Sequence, residues 1–287
     1  MNFRKMPMAQ GLHFVGVPIG SARDITLRAL DVLASADVLA AEDTRSLRKL
    51  MDIHGVPLDG RPLIALHDHS REGALRGLTE RMAQGQSVAY CSEAGMPAIA
   101  DPGFELCRAV VAEGLPVTCA PGPSAALTAL ALGGLPTDAF FFAGFLPQAR
   151  AARISALQGL RDIPGTLIFY ESPRRLGAML RDAAEALGPE RAAAVCRELT
   201  KKFEEIRRGP VETLARDYEG AAPKGEIVVL IDRRRSSDVS EVNLDDELRA
   251  ALAAMSVRDA ADVVSKATGL PRRVVYKAAL ALAKGDG

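Results

Sequence analysis

Three loops rich in glycine and proline carry the residues of this sequence that are best suited to bind a ligand. They read VGVPIGSARDIT at residues 15–26, CSEAGMPAIADPGFE at residues 91–105 and CAPGPSAAL at residues 119–127. Each loop follows an apolar run and leads into a segment of helical period, so free N–H groups of a helix N-terminus can face a ligand. None contains GxGxxG or the lysine of a phosphate loop, which disfavours a dinucleotide or a nucleoside triphosphate.

Within these loops, Glu93 is the carboxylate that we expect to bind a ligand. Asp101 stands before Pro102, and this order is typical of a capped helix start. Glu93 has no such structural role, so its oxygens can accept hydrogen bonds from hydroxyl or amino groups. Ser124 and Ala125 are small residues that would let a flat group lie against the backbone.

Two histidines and several carboxylates are candidates for proton transfer or metal binding. HDHS at residues 67–70 ends an apolar run, but no third ligand is visible, so we predict no metal and favour a polar rim for phosphate or ribose. AEDTRSLRK at residues 41–49 places Asp43 or Thr44 at a helix start and Arg45 just after it. A solvated, capped helix is the alternative interpretation of this stretch.

A fourth stretch, FYESPRR at residues 169–175, ends a further strand with Tyr170 and Glu171 and continues with Arg174 and Arg175. The later stretch RELTKKFEEIRRG, at residues 197–209, mixes basic and acidic residues. Because the two signs nearly balance, a solvated charged ribbon is a serious alternative to a binding surface there.

The elements that must position these residues alternate between short apolar runs and helical segments, which predicts an α/β fold. The predicted strands are residues 12–17, 38–41, 62–66, 87–91 and 117–120, and then residues 166–170, 193–196, 204–208 and 225–231. The predicted helices are residues 26–35 and those that begin at Pro102, Pro123, Pro173 and Val211. Because little chain joins residues 208 and 225, part of the second sheet is expected to be antiparallel.

Domain boundaries are predicted where this alternation breaks. We expect an N-terminal α/β domain at residues 11–134, a C-terminal α/β domain at 135–233, a linker at 234–243 and a helical tail at 244–284. The tail is predicted to form helices at residues 244–255, 257–268 and 271–283, of which two flank TGLPRR in a helix-turn-helix-like arrangement.

The composition limits the classes of partner. The 287 residues are 48% apolar and carry a formal net charge of zero, so a nucleic acid would have to bind a local patch. The four cysteines lack paired spacing and lie near apolar runs, which predicts buried thiols in the cytoplasm. The N-terminal stretch has neither a signal-peptide nor a membrane-span pattern, and we expect no membrane contact.

The sequence resembles the tetrapyrrole-methylase-like (class III) methyltransferases through motifs in a fixed order: VPIGSARDITLRAL, AEDTR, SEAGMPAIADPG, PGPSA, GLPTDAFFFAGFLP, FYESPRR, RELTKKFEE and PKGEIVVLI. Within that superfamily it is most similar to enzymes that methylate a cytidine ribose in 16S RNA of the small ribosomal subunit. The resemblance covers nearly the whole chain from residue 11. It departs from the usual TPIGN at Val17 and Ser21, and from the usual SDAGTP at Glu93 and Met96.

The resemblance implies two α/β domains with S-adenosylmethionine in the cleft between them, and a homodimer. It implies that cofactor contacts come from Pro18, Ile19, Ser92, Glu93, Ala94, Gly95, Met96, Ser124, Ala125, Tyr170 and Lys224. Methyl transfer to a ribose hydroxyl needs an aligned approach and gains from a general base. For that base His69 comes first because its ordinary pKa suits the task, with His67, Asp43 and Glu171 as the other available groups. Arg45, Arg174 and Arg175 would hold RNA phosphates, and His67 would contribute to substrate binding.

We therefore predict a cytoplasmic, S-adenosylmethionine-dependent 2'-O-methyltransferase of 16S ribosomal RNA. One alternative is a methylase of a small tetrapyrrole precursor, against which speaks the helical tail with Arg272, Arg273 and Lys277. Another is a non-catalytic nucleic-acid-binding module, which would leave the three loops without a purpose.

Overall fold

The computed structural model of the chain describes residues 2–66, 71–99, 103–233, 241–268 and 270–285. Its strands are β1 Gly11–Val15, β2 Val38–Ala41, β3 Leu63–Ala65, β4 Ser87–Cys91, β5 Val117–Ala120, β6 Phe140–Phe145, β7 Thr166–Glu171, β8 Ala192–Arg197, β9 Glu205–Pro210 and β10 Ile227–Ile231. Its α-helices are α1 Leu27–Ser35, α2 Thr44–His54, α3 Arg71–Ala83, α4 Gly103–Ala112, α5 Ala125–Gly133, α6 Arg150–Gly159, α7 Leu176–Leu187, α8 Val211–Asp217, α9 Glu241–Leu252, α10 Val257–Thr268 and α11 Arg272–Gly285.

The first sheet has the order β3-β2-β4-β1-β5, and its strands are parallel. Its central strands β1, β2 and β4 are buried along their whole length, which is why their sequences are continuous apolar runs. Because the strands are parallel, β1, β4 and β5 end at the same edge of the sheet. The loops that follow these three strands are the three glycine- and proline-rich loops of the sequence.

The second sheet has the order β6-β7-β10-β8-β9. β6 pairs with β7 in parallel, whereas β10 is antiparallel to both β7 and β8, and β9 is antiparallel to β8. The expected antiparallel pairing is therefore confirmed, although β10 lies between β7 and β8 and does not pair with β9. The two sheets and their helices form one compact unit, Met1–Gln158 with Gly165–Asp232.

Helix α5 joins the two sheets, because it follows β5 of the first sheet and packs against the second. Its buried residues Ala126, Ala129 and Leu130 share a hydrophobic cluster with Ile168 and Leu230. The packing is close: a Cβ added at Gly133 would lie 2.2 Å from Cδ1 of Leu230. The two halves of the unit are thus held together by a shared core.

Most element predictions are confirmed, but several helix starts are not. Helix α5 begins at Ala125 and not at Pro123, because the Ser124 hydroxyl accepts a hydrogen bond from the backbone N–H of Leu127 and caps the helix. Helix α7 begins at Leu176 and not at Pro173, because the preceding residues form a turn in which Arg175 N–H donates to the Ser172 carbonyl. Strand β6 and helices α3 and α6 were not predicted. The predicted cap at Asp101 and Pro102 lies outside the described residues.

Helices α9, α10 and α11 belong to a second compact unit, Gly159–Pro164 with Arg233–Gly287. Their core comprises Leu244, Leu248, Ala261, Val264, Val275 and Ala279. The TGLPRR sequence begins at the last residue of α10 and ends within the first turn of α11. The domain boundaries predicted from the sequence stay a prediction.

Two further expectations can be compared with the described residues. All four cysteines are free thiols, but only Cys91 and Cys196 are buried, so the prediction of buried thiols is wrong for Cys107 and Cys119, which are partly exposed. In the part of the chain that the structure describes, no helix has the length and apolar character needed to span a membrane.

Candidate functional site

A cavity of about 430 Å³ lies at the carboxyl-terminal edge of the first sheet, where it meets the second sheet. Both sheets contribute to its walls. The lining residues are Ile19, Glu42, Ser92, Glu93, Ala94, Gly95, Met96, Ile99, Ser124, Ala125, Phe145, Tyr170, Glu171, Ser172, Pro173, Leu199, Gly225, Glu226, Ile227 and Val228. Such a volume and a largely apolar wall are typical of a site for a small molecule or cofactor.

Backbone contacts hold the three loops against one another. Val17 and Gly95 form an antiparallel bridge, with Val17 N–H donating to the Gly95 carbonyl at 2.9 Å and Gly95 N–H donating back at 3.1 Å. The Met96 sulfur accepts a hydrogen bond from Gly122 N–H at 3.2 Å. Gly16 lies against Gly122 so closely that an added Cβ would be 2.6 Å from the Gly122 nitrogen. The glycines are therefore required for the close approach of the loops.

The charge of the cavity wall is negative. Four glutamates line it, namely Glu42, Glu93, Glu171 and Glu226, and none of the described lining residues is a lysine or an arginine. The sequence had suggested one carboxylate there. Arg175 and Lys201 form ion pairs with Glu171 and Glu226 from outside the lining, so the excess of negative charge is smaller than four, but it still favours a ligand with cationic or hydroxyl groups over a phosphate.

Glu171 is the most buried of these carboxylates, with its side chain 1% exposed. One carboxylate oxygen, Oε1, accepts a hydrogen bond from Ser172 N–H at 2.7 Å. The other, Oε2, lies 3.2 Å from Nη2 of Arg175 but forms no hydrogen bond within the described structure. Burial raises the pKa of this carboxyl above its ordinary value, against the opposing effects of Ser172 and Arg175. Glu171 is thus a stronger base than an exposed glutamate.

An aromatic cluster forms the wall contributed by the second sheet. The Tyr170 ring lies 4.9 Å from Phe142 and 5.7 Å from Phe145 between centroids, and both pairs are edge-to-face. Phe145 is 58% exposed although it lines the cavity, so its ring is open to a ligand. Burial raises the pKa of the Tyr170 hydroxyl above its ordinary value.

A smaller cavity of about 230 Å³ adjoins the first and shares Ser92 and Glu93 with it. Pro18 lines this second cavity, together with Lys49 and Ile53 of helix α2. The Ser92 hydroxyl donates to the carbonyls of Ala94 and Gly95 at 3.2 and 3.3 Å, which fixes the start of the middle loop. Ser92 and Glu93 therefore form the partition between the two cavities.

The structure brings many of the residues singled out in the sequence to the larger cavity: Ile19, Ser92, Glu93, Ala94, Gly95, Met96, Ser124, Ala125, Tyr170 and Glu171. Their individual roles stay predictions. The lining also includes residues that the sequence did not single out, among them Glu42, Phe145, Leu199 and Glu226. Glu42 could have been predicted from the sequence, because it directly follows strand β2 and so lies at the same edge of the sheet as the three loops.

Two of the predicted residues away from the cavity are used in a helix cap. Asp43 caps helix α2, where its Oδ1 accepts a hydrogen bond from Arg45 N–H at 2.8 Å. The Arg45 guanidinium donates to both oxygens of the same carboxylate, which lowers the pKa of Asp43 and makes it a weaker base. The Arg45 side chain is otherwise 91% exposed.

The remaining predicted residues lie at the margin of the site. Arg175 is turned inward, with Nη2 donating to the carbonyls of Leu146 and Pro147 at 2.7 and 3.2 Å. Arg174 and Lys224 are exposed, and the Lys224 carbonyl accepts a hydrogen bond from Arg197. His67 and His69 lie outside the described residues.

Comparison with known proteins identifies the family. Residues 11–215 match the family model of tetrapyrrole (corrin/porphyrin) methylases, and residues 238–283 match that of the RsmI C-terminal HTH domain. A ribosomal RNA small subunit methyltransferase I from Mesorhizobium japonicum is 44% identical over 98% of this chain and 96% of the relative. A second one, from Xylella fastidiosa, is 39% identical over 92% of this chain and 97% of the relative.

Among solved structures, the uroporphyrin-III C-methyltransferase from Thermus thermophilus, complexed with S-adenosylhomocysteine, superimposes with a TM-score of 0.54. It is 18% identical, and the match covers 76% of this chain and 96% of that one. This identity is low enough that the likeness concerns the fold. Together with the family models and the relatives, it shows that the chain belongs to the tetrapyrrole methylase family and, within it, to the ribosomal RNA small subunit methyltransferase I group.

Proposed function

We propose that this protein transfers a methyl group from S-adenosylmethionine to the 2'-hydroxyl of a cytidine in 16S RNA of the small ribosomal subunit. The observation that carries the proposal is the cavity wall, which combines four carboxylates with an apolar surface and contains no lysine or arginine among its described residues. When bound, S-adenosylmethionine supplies an electrophilic methyl group on a positively charged sulfur. Its ammonium and ribose hydroxyl groups suit carboxylate acceptors, and it carries no phosphate.

The residues that would hold the cofactor come from all three loops and from the second sheet. Ile19, Met96 and Tyr170 offer apolar surface, and Ser124 and Ala125 offer backbone at the start of a helix. Glu93 lines the cavity, and its backbone N–H donates to the Glu42 carboxylate at 3.2 Å, so Glu42 lies against the middle loop. The carboxylates of Glu42 and Glu93, both in the cavity wall, are suited to bind an amino group or ribose hydroxyls.

Glu171 is the described residue best suited to accept the proton of the ribose hydroxyl. Its carboxylate is buried at the cavity, its pKa is raised, and Oε2 forms no hydrogen bond within the described structure. Asp43 is disfavoured because it caps helix α2 and its pKa is lowered. His69 stays an alternative that direct substitution can test.

The relatives support the proposed methyl acceptor. Proteins named ribosomal RNA small subunit methyltransferase I are about 40% identical to this chain over most of its length, which supports ribosomal RNA as the methyl acceptor. We further propose a cytoplasmic homodimer, with an N-terminal α/β domain at residues 11–134, a C-terminal α/β domain at 135–233 and a tail that assists RNA binding or assembly. A chain that ends at residue 236 is expected to retain cofactor binding in titration calorimetry.

The decisive experiment offers labelled S-adenosylmethionine and three acceptors to the purified protein: 30S subunits, naked 16S RNA and a porphyrinogen. We expect label in RNA, and nuclease digestion followed by mass spectrometry should identify 2'-O-methylcytidine. Label in the porphyrinogen alone would establish the tetrapyrrole alternative. Cofactor binding without transfer to any of the three would contradict the proposed reaction.

A further inference from the structure

The turn between β8 and β9, residues 198–204, contacts the cavity and one of its loops. Leu199 lines the cavity directly. Lys201 forms an ion pair at 2.9 Å with Glu226, which is also in the cavity wall. The Thr200 hydroxyl accepts a hydrogen bond from Ser21 N–H at 3.0 Å, so the turn also fixes the first loop.

The conformation of this turn is strained and firmly held. Glu198 and Thr200 have φ values of 51° and 64°, in the left-handed region that residues with a side chain rarely adopt. Thr200 N–H donates to Glu204 Oε2 at 2.7 Å, and Glu198 Oε1 accepts from Lys201 Nζ at 2.9 Å and from Glu226 N–H at 3.0 Å. Such strain persists where the surroundings fix it, and it is frequent at binding sites.

Lys202 and Phe203 form the exposed tip of the turn. Phe203 is 64% exposed, and the Lys202 ammonium lies 5.5 Å from the centroid of its ring. Glu198 and Glu204, the nearest carboxylates on either side in the sequence, bind Lys201 and the Thr200 N–H of the turn itself. Within the described chain, Lys202 has no carboxylate partner. The tip therefore presents an aromatic face and an unpaired cation that the fold does not use for packing.

An exposed ring beside a cation is a combination that binds single-stranded nucleic acid, because every base can stack on the ring while the cation binds a phosphate. The four residue-to-residue steps from Leu199 to Phe203 span at most about 14 Å even when fully extended. A base on Phe203 would thus belong to the nucleotide whose ribose enters the cavity, or to a close neighbour of it.

We propose that the β8–β9 turn binds the RNA substrate at the target site, with Phe203 stacked on an unpaired base and Lys202 bound to an adjacent phosphate. This inference rests on the proposed function, since it takes RNA as the methyl acceptor. It assigns the turn a role in substrate recognition, whereas the loops at the edge of the first sheet are assigned to the cofactor.

The test is steady-state kinetics of the full-length protein on naked 16S RNA and on 30S subunits, whichever the wild type methylates. Phe203→Ala should raise the KM for RNA about tenfold, whereas Phe203→Trp should stay near wild type because stacking is retained. The cofactor Kd should not change in either variant. Phe140→Ala is the matched control, because Phe140 is 47% exposed but lies at the far end of β6 from the cavity-lining Phe145.

A second variant tests the phosphate contact separately. Lys202→Ala should lower the slope of log KM against log salt by about 0.7, the value for one phosphate contact on a single strand. An unchanged KM and salt slope in both alanine variants, with an active wild type, would overturn the inference and leave the proposed function standing. A defect confined to 30S subunits, with normal methylation of naked RNA, would assign the turn to a ribosomal protein and also overturn it. A wild type that methylates neither acceptor would refute both proposals.

Discussion

Replacing Glu171 by glutamine separates the catalytic role proposed for this residue from any role in stability. The substitution keeps the shape of the side chain and retains an oxygen that can accept the hydrogen bond from Ser172 N–H. It removes the negative charge next to Arg175, whose Nη2 still donates to two backbone carbonyls. The fold should therefore tolerate the change, while a proton acceptor at the cavity is lost.

The expected loss of activity follows from the usual contribution of a general base. Removing such a group lowers the rate roughly 10²- to 10⁴-fold, which corresponds to about 2.7 to 5.4 kcal/mol on the activation barrier. The pH dependence should change as well. In the wild type, kcat should fall as the pH falls through the raised pKa of Glu171, and in Glu171→Gln the residual rate should lack this acid limb.

The stability of the fold should depend on pH in the opposite sense to kcat. Because burial raises the pKa of Glu171 above its ordinary value of 4.5, the group favours folding most below pH 4.5, and this contribution is lost as the pH rises through the folded-state pKa. At pH 8 the wild type contains a buried charge that the glutamine variant lacks. Glu171→Gln should therefore have a melting temperature equal to or above that of the wild type.

The assay combines single-turnover methyl transfer, calorimetric cofactor binding and thermal unfolding for Glu171→Gln and for Glu219→Gln. Glu219 is the matched control because its side chain is 68% exposed and forms a surface ion pair with Arg181, which contributes little to stability. If Glu171→Gln methylates RNA within about threefold of the wild-type rate and keeps the acid limb, Glu171 is not the base. The same measurements on His69→Ala would then decide for or against that histidine.

Three further predictions concern cofactor binding and stability. Glu93→Ala should weaken S-adenosylmethionine binding about tenfold or more in calorimetry, since a charged hydrogen bond is lost, while the melting temperature stays within error; an unchanged affinity would contradict the assignment. Gly122→Ala should lower the free energy of unfolding in urea by about 1 to 3 kcal/mol, because the new Cβ would lie 2.9 Å from backbone atoms of the first loop. Gly73→Ala is the control and should not destabilise the protein, since the space around Gly73 is open. Asp182→Ala should lower the free energy of unfolding by about 3 to 5 kcal/mol in denaturant, because Arg153 would stay buried without the carboxylate that now lies 2.6 Å away. A loss below 1 kcal/mol would show that Arg153 finds another partner.

The central strands could be predicted from the sequence because burial on both faces makes them continuous apolar runs. The predicted bounds of the central strands β2 and β4 coincide with those observed, and so do those of the edge strand β5, which is only partly buried. Strand β6 could not be found in this way, because it lies at a sheet edge, its register shifts between Phe142 and Gly144, and several of its phenylalanines are exposed. Its sequence resembled a domain junction because it has neither the alternation nor the burial of a typical strand.

The half of the site built by the first sheet could also be predicted, since parallel strands end at a common edge and bring their loops together. The other half could be predicted only in part: the sequence singled out Tyr170 and Glu171 at the end of β7, but the remaining residues depend on how the second sheet packs on helix α5. Phe145 and Glu226 therefore gave no signal in their local sequence, although both line the cavity. Leu199 reaches the cavity through a turn whose left-handed residues, Glu198 and Thr200, are not glycines, so the usual sequence mark of such a turn is missing.

Two of the three arginines that the sequence suggested for RNA phosphates are engaged within the described chain. Of the arginines that the sequence suggested for phosphates, Arg45 binds Asp43, and Arg175 binds backbone carbonyls beside Glu171. Only Arg174 of these three is exposed and without an ion pair in the described chain. Recognition by a broad basic surface would spread the binding energy, so that a single substitution would cost little. If RNA instead binds through the β8–β9 turn as proposed, substitutions at Lys202 or Phe203 should have effects large enough to measure one at a time.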